Sequence, residues 1–148
     1  MHVSAEMPPH PNAPDPLGAL VPGPVVRIIG NPGPELPLAG RQFVVKDVID
    51  VAGFVIGAGN PDWARTHAPA TAHATVVQQL LDAGCTLVAK AQCAELAYRL
   101  SGRNVHCGTP QNPAVAGNLC DLGLATDTLG SIRIIDAGDK PHGVAYRK

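Results

Sequence analysis

The chain has 148 residues, 45% of them hydrophobic but only 3% aromatic, and a formal net charge of −1. That length suits one domain with a modest aliphatic core. The absence of any basic cluster excludes the usual nucleic-acid and anionic-membrane binders. No apolar stretch has the length of a membrane span and the N-terminus carries no apolar signal core, so a cytoplasmic protein is expected.

Ten of the fifteen prolines fall in the first forty residues. Proline lacks the N–H and fixes φ, so "MPPHPNAPDP" can form neither a helix nor a central strand. Residues 1–16 therefore read as a flexible proline-rich tail, and residues 17–148 as the folded domain. "VVRII" (25–29) has the composition of a short strand, and "GNPGPELPLAG" (30–40) that of a loop. "RQFVV" (41–45) is β-branched and bounded by glycine, and reads as a buried strand.

Lys46 follows directly, in "KDVIDVAG", among valines and isoleucines. A buried ammonium must be paired or lose its proton, so this lysine calls for an explanation. Residues 55–70 read as an irregular loop. In "TAHATVVQQLLDAG" (71–84), Val76, Val77, Leu80 and Leu81 share one helical face, with Thr71 placed to cap the start and Gly84 the end. "CTLVAK" (85–90) reads as a strand and "CAELAYRLSG" (93–102) as a helix, with Cys93, Leu96, Ala97 and Leu100 along one stripe. Strand, helix, strand and helix in that order imply an α/β fold with parallel strands. Beyond residue 103 the periodicity weakens. "LCDLGLATDTLGSIRII" is apolar around a glycine–serine turn, and "DAGDKPHGVAYRK" is polar.

None of Cys85, Cys93, Cys107 and Cys120 forms a C-x-x-C pair, and their wide spacing fits free thiols. His67, His73 and His106 beside Cys107 match no zinc spacing, so no metal or other cofactor is expected. Asp47 and Asp50 resemble a carboxylate pair, but Asp47 reads as a local partner or cap, as expected beside a lysine. Glu95 suits the start of a helix, where a carboxylate is favoured. Trp63 serves either to line a substrate pocket or, as the lone tryptophan, to cap a small core.

Two segments resemble motifs of a known family. "LAGRQFVVKDVIDVAG" looks like the catalytic-lysine segment of the amidase signature family, serine hydrolases of carboxamides. "GAGNPDWARTHAPATAHATVVQQLLDAGCTLVAKAQCAELAYRLSGRNVHCGTPQNP" is similar to the region that follows it there, most of all in short bacterial and plant amidases that include indole-3-acetamide hydrolases. "LATDTLGSIRI" resembles the family's nucleophile segment, G-T-D-T-G-G-S-[IV]-R-x-P. The resemblance implies a partial amidase signature fold, with a mixed β-sheet flanked by helices. It implies a Ser–cis-Ser–Lys mechanism, in which Ser131 is the nucleophile and Lys46 the general base. The turn at Leu129 and Gly130 would supply oxyanion N–H groups, braced by Asp127 and Arg133.

The sequence departs from that pattern. The family's P-G-G-S-S-S-G-S loop is absent between "TPQNP" and the nucleophile segment, and with it the bridging cis-serine; Ser101 belongs to a different segment. Leu129 stands where the family has glycine, Ala125 replaces another glycine, and Ile135 a proline. These features describe a truncated amidase domain, an N-terminal portion with an internal deletion. The expected activity is an impaired amidase acting on a small-molecule amide, and the alternative is an inactive remnant or ligand-binding module. The expected partners are further copies of the chain, through exposed strand edges, or a complementing C-terminal polypeptide.

Overall fold

The computed structural model describes residues 15, 18–23, 26–98, 103–108 and 120–126, and the backbone of 143–146. Apart from Asp15, the proline-rich tail lies outside them. Four strands form one sheet: β1 (Gln42–Lys46), β2 (Thr86–Ala91), β3 (Leu122–Thr126) and β4 (Gly143–Tyr146). Their order is β2-β1-β3-β4, and every pairing between them is parallel. Antiparallel bridges at Ile28–Leu87 and Leu20–Ala91 on the outer edge of β2 make the sheet mixed. The fold is therefore α/β, as the alternation of elements implies.

Strand β1 is central because its alternate side chains, Phe43 and Val45, are fully buried. They meet Val77 and Leu81 of α2 (Thr75–Asp82), together with Leu87 and Leu124 from the flanking strands. Val76 and Leu80 pack against this cluster, so the expected helical stripe is the buried one. The helix ends as its sequence predicts: Gly84 adopts φ +91°, a conformation that costs glycine little.

The start of α2 differs from expectation. Thr71 does not cap it; the helix begins at Thr75, with Ala74 at the N-cap and no side-chain cap. The reason is competition for residues 70–74. Ala70 exchanges backbone hydrogen bonds with Gly53 and Phe54, Ala74 N–H donates to Asp50, and Ala52 N–H donates to His73 Nδ1. This lacing holds the stretch extended against the 50–54 loop.

Three other expectations are corrected. The 55–70 loop contains a short helix, α1 (Pro61–Thr66), whose start is marked by Asn60 accepting from Asp62 and Trp63 N–H and by proline at the first position. The 93–102 helix reduces, among the described residues, to one 3₁₀ turn at Glu95–Ala97 with Leu96 at φ 49°. Leu96 N–H donates to Ala58 C=O and the Cys93 carbonyl accepts from Asn104 Nδ2, so long-range bonds replace helical ones. Leu96 is 56% exposed, and the expected apolar stripe through it is not a packed face. Of the 25–29 strand, the described residues 26–29 show only the single bridge at Ile28.

A bulge shapes β2. Phe43 pairs with Leu87 but Val44 pairs with Ala89, so Val88 is an extra residue. Strict alternation would place Leu87 and Lys90 on opposite faces. The extra residue reverses the phase, and both are buried, Lys90 to 4% exposure. There Lys90 Nζ meets Asp47 Oδ1 at 2.6 Å and donates to Val55 C=O at 2.8 Å. The pair is a close ionic contact rather than an aligned hydrogen bond, since Oδ1 receives no directed bond. Gly57 has no side chain for good reason: a Cβ there would lie 2.4 Å from Asp47 Oδ2.

A charge left alone in this interior is costly. Lys90→Met should therefore destabilise the fold by about 3–5 kcal/mol in urea denaturation. The double replacement Asp47→Leu/Lys90→Met should recover most of that loss, because neither charge then remains buried.

Candidate active site

Lys46 closes β1, and its surroundings follow from strand pairing. The parallel register sets Phe43 beside Leu122, Val44 beside Gly123 and Val45 beside Leu124. This carries the end of β3 to the end of β1, and Lys46 Nζ donates to Thr126 Oγ1 at 3.1 Å. Arg41 and Asp121 clamp the other end of the pairing, 2.9 Å apart, and Asp121 Oδ2 accepts from Gln42 N–H.

Lys46 is half-buried. Burial lowers its pKa from the ordinary lysine value; the nearby Cys93 acts weakly in the opposite sense. The Cys93 thiol is pushed up, mainly by burial and further by the Asp47 carboxylate, with Lys46 opposing. Cys93 is thus a protonated thiol at neutral pH rather than a ready nucleophile.

Behind these residues, buried Asn104 ties three segments together. Its Nδ2 donates to Gly59 C=O at 2.7 Å and Cys93 C=O at 2.9 Å, while Oδ1 accepts from His106 and Cys107 N–H. Glu95 Oε1 accepts from Asn60 Nδ2 at 2.8 Å and lies 3.2 Å from His106 Nε2. His106, His67 and His73 are held in such local hydrogen bonds. Among the described residues no cluster of histidine, cysteine or carboxylate side chains is arranged to hold a metal ion. All four cysteines are free, Cys85 and Cys93 buried.

Of the residues singled out in the sequence, Lys46 is described, while Asp127, Leu129, Gly130, Ser131 and Arg133 lie outside the described residues. Trp63 does not cap the core: it is 41% exposed on α1, which buries no residue, and stacks on His67 at 3.8 Å. Asp47 does pair, as expected of it, but with Lys90 rather than locally. Three structural anchors escaped the sequence reading: Thr126, Lys90 and Asn104. Lys90 carried a usable signal, since it too is a lysine in an apolar strand.

Comparison with known proteins follows the same lines. Residues 30–114 match the family described as Amidase. A rice (Oryza sativa subsp. japonica) protein, Amidase 1, is 47% identical over 119 residues, covering 70% of this chain and 27% of the relative. Amidase 1 of Arabidopsis thaliana is 44% identical over 113 residues, covering 66% and 27%. A solved structure of a vestigial protein complex, bearing on the origins of an s-triazine catabolic enzyme and bound to an inhibitor, superposes with a TM-score of 0.50. It is 38% identical and covers 53% of this chain and 17% of that one. The chain belongs to the amidase family. It spans about a quarter of the length of these two curated relatives.

The lowered pKa of Lys46 has a stability consequence. Below that pKa the folded chain holds a partly desolvated ammonium. Between it and the ordinary lysine value of 10.5, the unfolded chain binds more protons, so stability attributable to this group rises with pH. Lys46→Met should therefore be more stable than the natural chain at pH 7. Urea melts at rising pH should show that margin shrinking toward pH 10.5.

Proposed function

We propose that the chain is built around hydrolysis of a small carboxamide to an acid and ammonia. Lys46 serves as general base and Ser131 as nucleophile. The N–H groups of the Leu129–Gly130 turn receive the developing oxyanion, with Asp127 and Arg133 bracing that turn. The observation carrying this reading is the Lys46–Thr126 hydrogen bond. Thr126 opens the "TDTLGSIR" segment, so β3 tethers the nucleophile segment to a lysine whose proton affinity burial has reduced. Ser131 follows Thr126 by five residues, which limits its distance from that anchor to roughly 17 Å of extended chain.

No bridging serine is assigned, so proton transfer between Ser131 and Lys46 requires a water or direct approach. A positioned base contributes about 10²–10⁴-fold in rate, and losing one member of such a unit forfeits much of the benefit. The missing serine loop favours a second reading, a ligand-binding chain without turnover. The proposed partner in either case is a small amide. A complementing polypeptide, equivalent to the remaining length of the relatives, is the proposed route to full activity. A cytoplasmic setting is proposed on the grounds already given.

Ammonia release should be followed on a carboxamide panel that includes indole-3-acetamide, for the natural chain, Ser131→Ala and Lys46→Met. The hydrolase reading expects release that Ser131→Ala abolishes and Lys46→Met lowers by about 10²–10⁴-fold. Release that persists in Ser131→Ala would overturn it. No release from a cooperatively folded natural chain would establish the binding reading instead.

A further inference from the structure

Two lysines lie near the ends of adjacent strands, and their partners set them apart. Lys90 is 4% exposed, 2.6 Å from Asp47 Oδ1, and donates to Val55 C=O at 2.8 Å. A carboxylate and a carbonyl only accept, so both hold it as an ammonium. Lys46 is half-buried, and among the described residues no carboxylate pairs with it. Asp47, its neighbour in sequence, is taken by Lys90. Lys46 Nζ instead meets Thr126 Oγ1 at 3.1 Å. A hydroxyl accepts from an ammonium and donates to a free amine, so this contact survives loss of the proton.

The position also leaves room for a reactant. Lys46 and Thr126 are the last residues of β1 and β3. In the alternation of β1, Lys46 shares a face with Gln42 and Val44, opposite buried Phe43 and Val45. Its register partner on β2 is Ala91, whose methyl is too short to reach the amine. Cys93 is the titratable group acting on Lys46, and it is a neutral thiol. A partly desolvated lysine without a carboxylate is suited to attack a carbonyl carbon itself. We propose that Lys46 captures small uncharged aldehydes as imines, with Thr126 Oγ1 passing the proton. The amine nitrogen bonds to the carbonyl carbon, and the carbonyl π pair goes to oxygen. Thr126 takes a proton from nitrogen and gives its own to that oxygen, forming a carbinolamine. The nitrogen lone pair then expels the oxygen, which leaves as water with the last N–H proton, and a C=N bond remains. Amine and aldehyde become imine and water, with no oxidant or reductant. The imine is neutral, so partial burial favours it over an ammonium. This capture uses no serine and stands independently of amide hydrolysis.

The lysines of the chain are Lys46, Lys90, Lys140 and Lys148, few enough to follow one by one. The full chain is treated with isobutyraldehyde and cyanoborohydride, which fixes each imine as a secondary amine, and the label is located by peptide mass mapping. At pH 7, Lys46 of the folded chain should be labelled faster by about tenfold or more than Lys46 of the guanidinium-unfolded chain and than free Nα-acetyl-lysine. Lys90 should stay unlabelled until the chain unfolds. The rate at Lys46 should level off at a lower pH than that of Nα-acetyl-lysine, because burial lowers its pKa. Thr126→Val should slow capture by about fivefold or more, and Thr126→Ser should restore it. Packing alone predicts the opposite order, since valine matches threonine in shape. Capture without ammonia release from amides would support this proposal while removing the hydrolase reading, and release without capture would do the reverse. Labelling of folded Lys46 no faster than in the unfolded chain, or an unchanged rate in Thr126→Val, would overturn the proposal.

Discussion

The contact between Asp47 and Lys90 decides the character of the residue next to it. Lys46 and Asp47 are adjacent in sequence and opposite in charge, so a local ion pair is the simplest expectation. Such a pair would hold Lys46 charged. Instead the bulge at Val88 turns Lys90 onto the buried side, where it takes the carboxylate at 2.6 Å. Lys46 then donates to a neutral hydroxyl, Thr126 Oγ1. With a neutral acceptor and partial burial, the balance tips toward the uncharged amine. One inserted residue in an edge strand thus separates a lysine held in an ion pair from one bonded to a neutral hydroxyl. Gly57 completes the arrangement, because any side chain there would strike the carboxylate.

The second dependence is topological. Lys46 and Thr126 are 80 residues apart, and only the parallel pairing of β1 with β3 makes them neighbours. Parallel strands carry their chain ends in the same direction, so both strands deliver their last residues to one end of the sheet. This is the ordinary place for ligands in an open α/β sheet. β1 lies between β2 and β3, and its buried side chains Phe43 and Val45 hold that position against α2. Packing at the middle of the strand therefore sets the geometry at its end.

What could be read in the sequence follows the range of the forces involved. The strands β1 and β2 and the helix α2 were legible to within a few residues, because apolar patterning over 41–45, 76–81 and 85–90 is a local signal. Lys46 was legible for the same reason, a charge standing out against that pattern. Lys90 stands out in the same way, but its pairing with Asp47 was not legible, because that needs the bulge, which exists only once β2 pairs with β1. Thr71 failed as a cap and residues 93–102 failed as a helix for one shared reason. Backbone groups in those stretches bond to partners elsewhere in the chain, Ala70 to Phe54 and Leu96 to Ala58. Propensity cannot anticipate partners 16 and 38 residues away. The short helix at 61–66 is the reverse case: Asn60 and Pro61 announce it locally, but the glycines at 57 and 59 just before them mask the signal.

Burial at this site also selects between two kinds of nucleophile. Cys93 lies close enough to Lys46 for each to influence the other's protonation. A thiolate–ammonium pair would need both groups charged, and desolvation acts against each of them, raising the thiol and lowering the amine. Asp47 adds to the penalty on the thiolate. The same apolar surroundings suit a different division of labour, in which an uncharged amine receives a proton from a hydroxyl as that hydroxyl attacks. An alcohol is never ionised at rest, so it loses nothing from the low polarity and meets a base whose proton affinity burial has lowered. The physical setting of Lys46 therefore fits the proposed hydroxyl chemistry better than thiol chemistry.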